Sequence, residues 1–489
     1  MAVVSWRRTV VTAGVFIFLT GCQLGPDYVK PDVNLGASYL QTTDVSGWTS
    51  TDSVQHAMTL DWWTLYQDAE LDDLMDRLNT TSPSIEQAQA QYRQTLALLR
   101  VANASLYPVV SMNAQVTRAD VPVAGPSGAV MGAFGPNTEY STGLGLTWEV
   151  DLWGALAQEV QRTGSQSQAS AADLAGARLS AQTALASSYF QLRGLDQQQL
   201  LLQKSIQAYE RSLALTQNLF RAGLSDRSDV SVAQAQLEGA RSQSIEQQRQ
   251  RATLAHAIAV LMGEPPSRLL VKPDPSWTSD VVTVPVGVPS TLLMRRPDVA
   301  AAERRVAAAN AQVGVATAAW FPSLTISANA GYQTNQFSQW LSAPAQFWAL
   351  GPALAATLFD AGRRSARIEQ AQAELDVQAA NYRFVALRAL QEVEDALVQL
   401  RLLQEQQQVQ RRAVVAARES VRMKRDQYEK GLVDFLSVAV LETTALNAER
   451  TEIILRTERF ASSVKLVSAM GGGWSVDQLP DPRNTVRTP

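Results

Sequence analysis

The sequence is poor in the side chains that most often bind metals and relay protons in enzymes. Among its 489 residues are two histidines, His56 and His256, and one cysteine, Cys22. This scarcity argues against a His/Cys metal site, a histidine-dependent nucleophilic triad and an intrachain disulfide. Carboxylates remain possible catalysts, but the sequence offers no constellation of them. We therefore expect no enzyme activity, no cofactor and no metal.

Basic residues are not in excess either. Lys and Arg number 42 against 46 Asp and Glu, which gives a formal net charge of −4 at pH 7. A nucleic-acid-binding protein normally carries a basic excess or a basic stripe on one face. Because the sequence shows neither feature, nucleic acid is not an expected partner.

The N-terminal segment is typical of an exported protein. Two arginines precede a short apolar run over residues 10–19, and Cys22 follows that run after small residues. The run is too short to span a membrane as a helix, and its flanks match a secretory signal peptide. The position of Cys22 resembles a bacterial lipobox, which predicts removal of residues 1–21 and anchoring through acyl chains on Cys22. An ordinary signal followed by a chance cysteine is the alternative.

The chain contains two copies of one pattern. Pro83 recurs as Pro297, 214 positions later, and the segment around Gly223 recurs around Gly431, 208 positions later. These spacings are too long for a solenoid repeat, so we interpret the chain as a tandem duplication. The first repeat is predicted at 83–262 and the second at 297–470.

Long stretches without proline predict long helices. Each stretch is rich in strong helix formers and is interrupted near its middle by a glycine, which is a typical helix stop. A helix of 68 residues is about 100 Å long, so these helices suit a shaft or a tube better than a compact globule. Long helices are predicted at 154–221, 225–262, 361–428 and 434–470, and shorter ones that start with proline at 83–105 and 297–319.

Four segments of about ten residues alternate between polar and apolar side chains. That is the length of a tilted transmembrane β-strand, and aromatic residues gather near the segment ends, as they do at membrane interfaces. A small soluble sheet with one wet face is the alternative. The segments are 110–118, 141–152, 323–333 and, less regularly because of Pro352, 348–359. The polar side chains predicted to face a lumen are Ser111, Asn113, Gln115, Thr147, Glu149, Thr325, Ser327 and Asn329.

Four strands are too few to close a membrane barrel. A bilayer tolerates no open sheet edge, and bacterial barrels have at least about eight strands. Several copies of the chain must therefore contribute strands. Three copies would give twelve strands and a ring of long helices, although the strand pattern does not fix the number.

Short motifs occur in order along the chain and cover most of it. They are Cys22, the segment 25–28, the Trp62-Trp63 pair, Asp151-Leu152-Trp153-Gly154 after a strand, 293–298 before a helix, and 358–363. Together they resemble the outer-membrane efflux channels of the TolC superfamily, specifically the lipoprotein branch of NodT-type partners of resistance-nodulation-division pumps. The resemblance implies a mainly α fold with a membrane β-barrel: a homotrimer whose 12-stranded outer-membrane barrel continues as a long α-helical periplasmic barrel.

The resemblance also implies a mixed equatorial domain, a cellular location and partners. The equatorial parts are 22–82, which includes the lipid anchor, the linker 263–296 and the tail 471–489. The protein is expected in the cell outer membrane, where it is lipid-anchored, contacts membrane lipid and extends into the periplasm. It would passively conduct small molecules, such as drugs or toxic compounds, from a periplasmic membrane-fusion adaptor and an inner-membrane resistance-nodulation-division pump.

Functions of other classes remain open from the sequence. A type I secretion exit duct would carry proteins through the same architecture. A periplasmic coiled-coil scaffold lipoprotein would never form a pore, and a membrane-anchored hydrolase would use carboxylates. The lipobox and the lipoprotein-branch motifs favour small-molecule efflux.

The two helix-turn tips lie farthest from the strands, so Gly223 and Gly431 are expected to shape the periplasmic mouth and to dock the adaptor. Just past the second tip, we expect Leu436 and either Asp434 or Glu442 to form rings that constrict the closed mouth. Three like charges on one axis repel, so such a ring would attract cations and favour opening. A solvated helix N-terminus, where acidic residues are favoured anyway, is the alternative.

Two residue pairs are assigned structural roles. The Trp62-Trp63 pair is predicted to pack in the core. Arg295 and Arg296 are predicted to hold the equatorial belt by ion pairs, with simple surface solvation as the alternative.

Overall fold

The structure is a computed structural model that describes residues 24–33, 36, 61–120, 136–268, 271–277 and 295–481. Cys22, the predicted signal peptide and His56 lie outside these residues, as do parts of the predicted equatorial segments. The helices are α1 (Ala69–Thr81), α2 (Pro83–Ala104), α3 (Ala155–Arg221), α4 (Arg227–Leu261), α5 (Pro297–Ala318), α6 (Arg363–Glu429) and α7 (Phe435–Ala469). The strands are β1 (Val109–Ala119), β2 (Asn137–Val150), β3 (Ser323–Thr334) and β4 (Gln346–Ala355).

All six predicted helices are present, and each ends within two residues of its predicted bounds. Pro83 and Pro297 stand at the first positions of α2 and α5, where a missing N–H leaves no hydrogen bond unmade. The two long helices have 67 residues each and span about 100 Å. None of the helices in the described ranges combines the length and the apolar character needed to span a membrane.

Helices α3 and α6 form two long columns, and the shorter helices stack end to end beside them. Helix α3 packs against α2 and α4 on one side and against α5 and α7 on the other. Helix α6 packs against α5 and α7. The pairs α2/α4 and α5/α7 each fall ten residues short of a long helix. The helices therefore form a slab with α2/α4 at one edge and α6 at the other.

The four strands form one antiparallel sheet in the order β1-β2-β3-β4. Its central pair joins the two halves of the chain, since Val150 of β2 is aligned with Leu324 of β3. The fourth strand differs from its prediction, because it ends at Ala355 rather than 359 and includes Pro352. Within the chain β4 is an edge strand, where the missing N–H of a proline is tolerated. The interruption at Pro352 therefore did not mark the limits of the strand.

The largest apolar core lies at mid-height, where the equatorial residues cover the helices. Trp62 and Trp63 are almost wholly buried there, which confirms their predicted core role. Phe190 of α3 and Phe460 of α7 stack with ring centroids 4.8 Å apart, and Trp277 lies against both. A second apolar core surrounds Phe435 near the helix tips. The slab is thus held together at two levels.

Candidate functional site

One face of the sheet carries the polar side chains. The register aligns Ser111 with Gly145 and Gly145 with Asn329, and it aligns Thr147 with Ser327. Aligned residues of an antiparallel sheet share a face, and faces alternate along each strand. A Cβ on Gly145 would lie 3.1 Å from Asn329 Oδ1 and 3.3 Å from Ser111 Oγ, so these side chains converge on the glycine. The same face holds all eight residues named as lumen-facing: Ser111, Asn113, Gln115, Thr147, Glu149, Thr325, Ser327 and Asn329.

The opposite face of the sheet is apolar and open. Trp348 of β4 is 78% exposed, and Met112 of β1 and Leu144 of β2 are also exposed. On soluble proteins, contiguous exposed apolar patches mark surfaces that contact a membrane or another protein. A strand of ten residues rises about 33 Å, which becomes about 23 Å when it is tilted by 45° and so matches the apolar band of an outer-membrane barrel.

Aromatic side chains collect at both ends of the sheet. At the end near the helices, the Trp153 indole N–H donates to the Pro322 carbonyl at 2.8 Å, and its ring centroid lies 4.8 Å from that of Phe321. At the far end, the Tyr140 ring lies 5.4 Å from Phe337 and 5.5 Å from Trp340. The two levels match the aromatic girdles that flank a bilayer's apolar band.

Two aspartates make the turn from strand to long helix, a role that the sequence analysis missed. Both carboxylate oxygens of Asp151 accept backbone N–H groups at the start of α3, from Leu156 at 3.1 Å and Ala157 at 2.8 Å. Asp360 accepts from the backbone and the guanidinium of Arg364 at the start of α6. Asp151 lies three residues before the N-cap Gly154, and Asp360 lies two before the N-cap Gly362. An aspartate so close to a helix start can accept the free N–H groups of the first turn, and this signal could have identified both.

The two helix-turn tips have the same backbone geometry. Gly223 and Gly431 have φ angles of +71° and +72°, a left-handed conformation that favours glycine. In each tip, the N–H of the following leucine, Leu224 or Leu432, closes a hydrogen bond across the end of the long helix. Both leucine side chains are exposed. The chain therefore presents two similar exposed leucines at the end remote from the sheet.

The three gate candidates do not share one surface. The Asp434 carboxylate caps α7, accepting from the Ser437 hydroxyl at 2.5 Å and its N–H at 3.0 Å. These hydrogen bonds hold the pKa of Asp434 below its usual value, so it is ionised at neutral pH. Leu436 beside it is exposed, whereas Glu442 is only 5% exposed and binds the Arg425 guanidinium. Only Asp434 and Leu436 face outward at the tip.

Arg296 forms the belt contact that the sequence predicted. Its buried guanidinium pairs with Asp298 at 2.7 Å and with Glu392 of α6 at 2.8 Å, and it donates to the Ala469 carbonyl at 3.1 Å. The Arg295 side chain forms no ion pair with a described residue. Nor do the described residues contain a group of three or more His, Cys, Asp or Glu placed to hold a metal ion.

A comparison with known proteins agrees with this geometry. The chain matches the family model described as Outer membrane efflux protein over residues 74–264 and 288–472. It is 30% identical to the toluene efflux pump outer membrane protein TtgC of Pseudomonas putida over 93% of each chain. It is 31% identical to the pyoverdine export outer membrane protein OpmQ of Pseudomonas aeruginosa, over 85% of this chain and 88% of that protein.

Solved structures agree as well. The outer-membrane channel OprN superposes with a TM-score of 0.84 at 30% identity, over 93% of this chain and all of that one. The Campylobacter jejuni CmeC outer membrane channel superposes with a TM-score of 0.85 at 22% identity, over 95% of this chain and 98% of that one. These matches confirm the resemblance to TolC-superfamily channels that the motifs indicated. By its sequence and its fold, the chain belongs to the outer membrane efflux protein family.

Proposed function

We propose that three copies of this chain form a closed twelve-stranded barrel that continues as a helical tunnel and serves as the passive outlet of a tripartite efflux pump. The sheet is the observation that carries the proposal. It has a polar face, an exposed apolar face and an unpaired edge on each of β1 and β4 among the described residues. Because a bilayer tolerates no open edge, β4 of one copy pairs with β1 of the next.

The helices support the same ring. Helix α6 has described neighbours on one side, yet exposed apolar side chains recur along its length. They include Val377, Phe384, Leu402, Val409 and Val415. Exposed apolar residues also lie on α2 and α4 at the other edge of the slab, including Leu98, Val101, Ile245 and Val260. In the proposed ring, the α6 edge of one copy packs against the α2/α4 edge of the next copy, just as β4 of one copy pairs with β1 of the next.

The cargo is a small molecule delivered by an inner-membrane resistance-nodulation-division pump through a periplasmic adaptor. Relatives that match most of this chain are named for efflux of toluene and export of pyoverdine, both small molecules. The exposed leucines at the Gly223 and Gly431 tips supply an apolar surface for the adaptor. The pump supplies the energy, and the polar sheet face lines a water-filled exit.

Reconstitution tests the channel proposal directly. The purified full-length protein should migrate as a heat-modifiable trimer and add stepwise ion conductance to a planar bilayer. A protein that is released from membranes by removal of its acylated end and then remains a soluble monomer would contradict the proposal. Substrate turnover by the protein alone would favour a hydrolase instead.

We assign closure of the periplasmic mouth to Leu436 and Asp434. Glu442 instead has a structural role, as a contact between helices. Rings of exposed leucine block ions by excluding water, and rings of carboxylate attract cations. Glu442 is buried against Arg425 of α6 and lies 3.4 Å from the Gln236 amide of α4, so it ties α7 to both neighbours. It therefore adds no charge to the mouth.

Substitutions at the mouth should separate these roles. Leu436→Ala is expected to raise single-channel conductance severalfold because it widens the apolar constriction. Asp434→Asn should lower cation preference without loosening α7, since asparagine caps a helix about as well as aspartate. Asp434→Ala removes both charge and cap, at a cost of about 1 kcal/mol to the helix end. Unchanged conductance and ion selectivity in all three variants would remove both residues from the gate.

The N-terminal residues support lipid anchoring at the junction between sheet and helices. The Leu24 N–H donates to the Trp153 carbonyl at 3.3 Å, and the Asn310 amide donates to the Pro26 carbonyl at 2.8 Å. The Tyr28 hydroxyl donates to Glu303 farther down α5. The segment thus runs along α5 from Trp153, and an acyl group on Cys22, two residues before Leu24, would start at the membrane surface.

Cys22→Ser is expected to abolish acylation while the barrel still inserts, because twelve strands do not need a lipid to stay in the bilayer. Incorporation of radiolabelled palmitate measures the first effect and heat-modifiable migration the second. The wild-type protein should take up the label and the variant should take up none. Equal labelling of the two proteins would refute the lipobox assignment.

A further inference from the structure

The segment between β4 and α6 carries an apolar and basic surface with no assigned role. Leu358 is 94% exposed and Phe359 is 87% exposed. Arg363 and Arg367 follow, one turn apart at the start of α6, and both are exposed. Neither arginine forms an ion pair with a described residue, although their neighbour Arg364 is buried and pairs with Asp360 at 2.8 Å. Two cations therefore stand beside two exposed apolar side chains.

This arrangement is particular to the α6 junction. Helix α3 starts in the same way after β2, yet residues 155–161 include no basic side chain, and Arg162 is paired with Glu159. Farther along α6, exposed arginines commonly have carboxylate partners, as Arg388 has Glu392 and Arg401 has Glu405. Arg383 and Arg412 of α6 are also exposed and without a carboxylate partner among the described residues, but only Arg363 and Arg367 stand one turn apart at the level of the sheet end.

In the proposed barrel, this level lies at the headgroups of the periplasmic leaflet. Strand β4 ends at Ala355, and the headgroup layer beyond the hydrocarbon is about 5–7 Å thick on each side. Arg363 and Arg367 are about 6 Å apart along the helix axis. Trp320, at the same junction, is half-exposed and lies under the Arg364 guanidinium at 4.6 Å, as aromatic residues do at membrane interfaces.

We infer that Arg363 and Arg367 bind the phosphate of an anionic phospholipid in the periplasmic leaflet, with its acyl chains against Leu358 and the apolar face of β4. Guanidinium groups bind phosphate through paired hydrogen bonds. The inference rests on the proposed barrel, which sets the sheet in the bilayer. It names a lipid as a further partner and this junction as its site.

Charge argues for a lipid rather than a second copy at this surface. In the proposed ring, the edge that meets α6 is α2, whose end nearest the sheet carries the exposed Arg100. Glu86, at the opposite end of α2, is the one carboxylate of that helix. A neighbouring copy would therefore add positive charge where Arg363 and Arg367 already lie, whereas a phosphate complements all three.

Native mass spectrometry of the full-length trimer with added phosphatidylglycerol or phosphatidylcholine tests the inference. The wild-type trimer should retain phosphatidylglycerol in preference to phosphatidylcholine. The double variant Arg363→Gln/Arg367→Gln should weaken that binding roughly 30-fold, since each arginine near a lipid surface contributes about fivefold. The control Arg383→Gln/Arg412→Gln removes two exposed arginines of α6 farther from the sheet and should bind like the wild type.

Three results would overturn the inference: equal retention of the two lipids by the wild type, an unchanged lipid preference in the double variant, or dissociation of the double variant into monomers. The last would assign the arginines to contacts between copies. Conductance in planar bilayers separates this inference from the channel proposal. If the wild type conducts but shows no lipid preference, only the lipid site fails, and if it forms no pore, the barrel itself fails.

Discussion

Replacing Gly331 by alanine is expected to abolish assembly of the conducting trimer. Gly331 of β3 is aligned with Gly143 of β2, and a Cβ on Gly331 would lie 2.2 Å from the Thr142 carbonyl oxygen and 2.6 Å from the Gly143 Cα. Both contacts are with backbone, so no rotamer change can relieve them, and the two strands must separate. Unpaired backbone groups cost several kcal/mol each in a bilayer, which is enough to prevent closure of the barrel.

Gly351→Ala is the matched control. Gly351 of β4 is aligned with Ser327 on the same polar face, and an added Cβ there has no atom of its own chain within 4 Å. A Cβ on that face points into the proposed lumen and not along the hydrogen bonds to β1 of the next copy. Outer-membrane fractions should therefore contain heat-modifiable trimer for Gly351→Ala and little or none for Gly331→Ala, and planar-bilayer conductance should follow the same order. Equal trimer yields for the two variants would mean that β2 and β3 do not approach this closely in the membrane.

The sequence predicted most of the architecture because its strongest signals are local. Proline at the start of α2 and glycine after α3 and α6 fix helix ends through backbone geometry alone, so the predicted bounds were accurate. Alternation predicted which strand residues share a face. The pairing of β2 with β3 could not be derived that way, because Val150 and Leu324 are brought together by helices between them.

The site was less predictable because it depends on contacts between helices. Asp434, Leu436 and Glu442 stand close together in the sequence, but only the packing of α6 against α7 shows that Glu442 turns inward to Arg425. The register between two long helices follows from their side-chain packing, which periodicity does not specify. The helix-start contacts of Asp151 and Asp360 depend on a different signal, an aspartate two or three residues before a helix whose first turn has free N–H groups.

Arg193→Met is expected to produce the largest loss of stability in the equatorial belt. The Arg193 side chain is 0% exposed, and its guanidinium binds Glu70 of α1, Asp196 at 3.1 Å and the Lys272 carbonyl at 2.9 Å. It thereby joins α3 to α1 and to the segment 271–277. Methionine keeps the aliphatic part of the side chain but removes the guanidinium. The Lys272 carbonyl then loses this donor, and the buried Asp196 keeps Arg251 as its one cation. Breaking a buried pair in this way costs about 3–5 kcal/mol.

Arg193→Met lowers stability because it leaves desolvated polar groups without a hydrogen-bond donor. An arginine in an exposed ion pair serves as the control. Arg241 bridges Glu210 at 2.9 Å and Glu238 at 3.1 Å on the solvent side of α4, where water replaces any contact that is removed. In a thermal scan followed by tryptophan fluorescence, Arg241→Met should unfold at the same temperature as the wild type, whereas Arg193→Met should unfold at a clearly lower temperature. Protease should also cleave Arg193→Met near 271–277. Identical melting of the two variants would show that the buried arginine does not organise the belt. Because α1, α3 and the segment 271–277 share this one guanidinium, its loss should loosen the belt while the helix tips and the sheet stay folded.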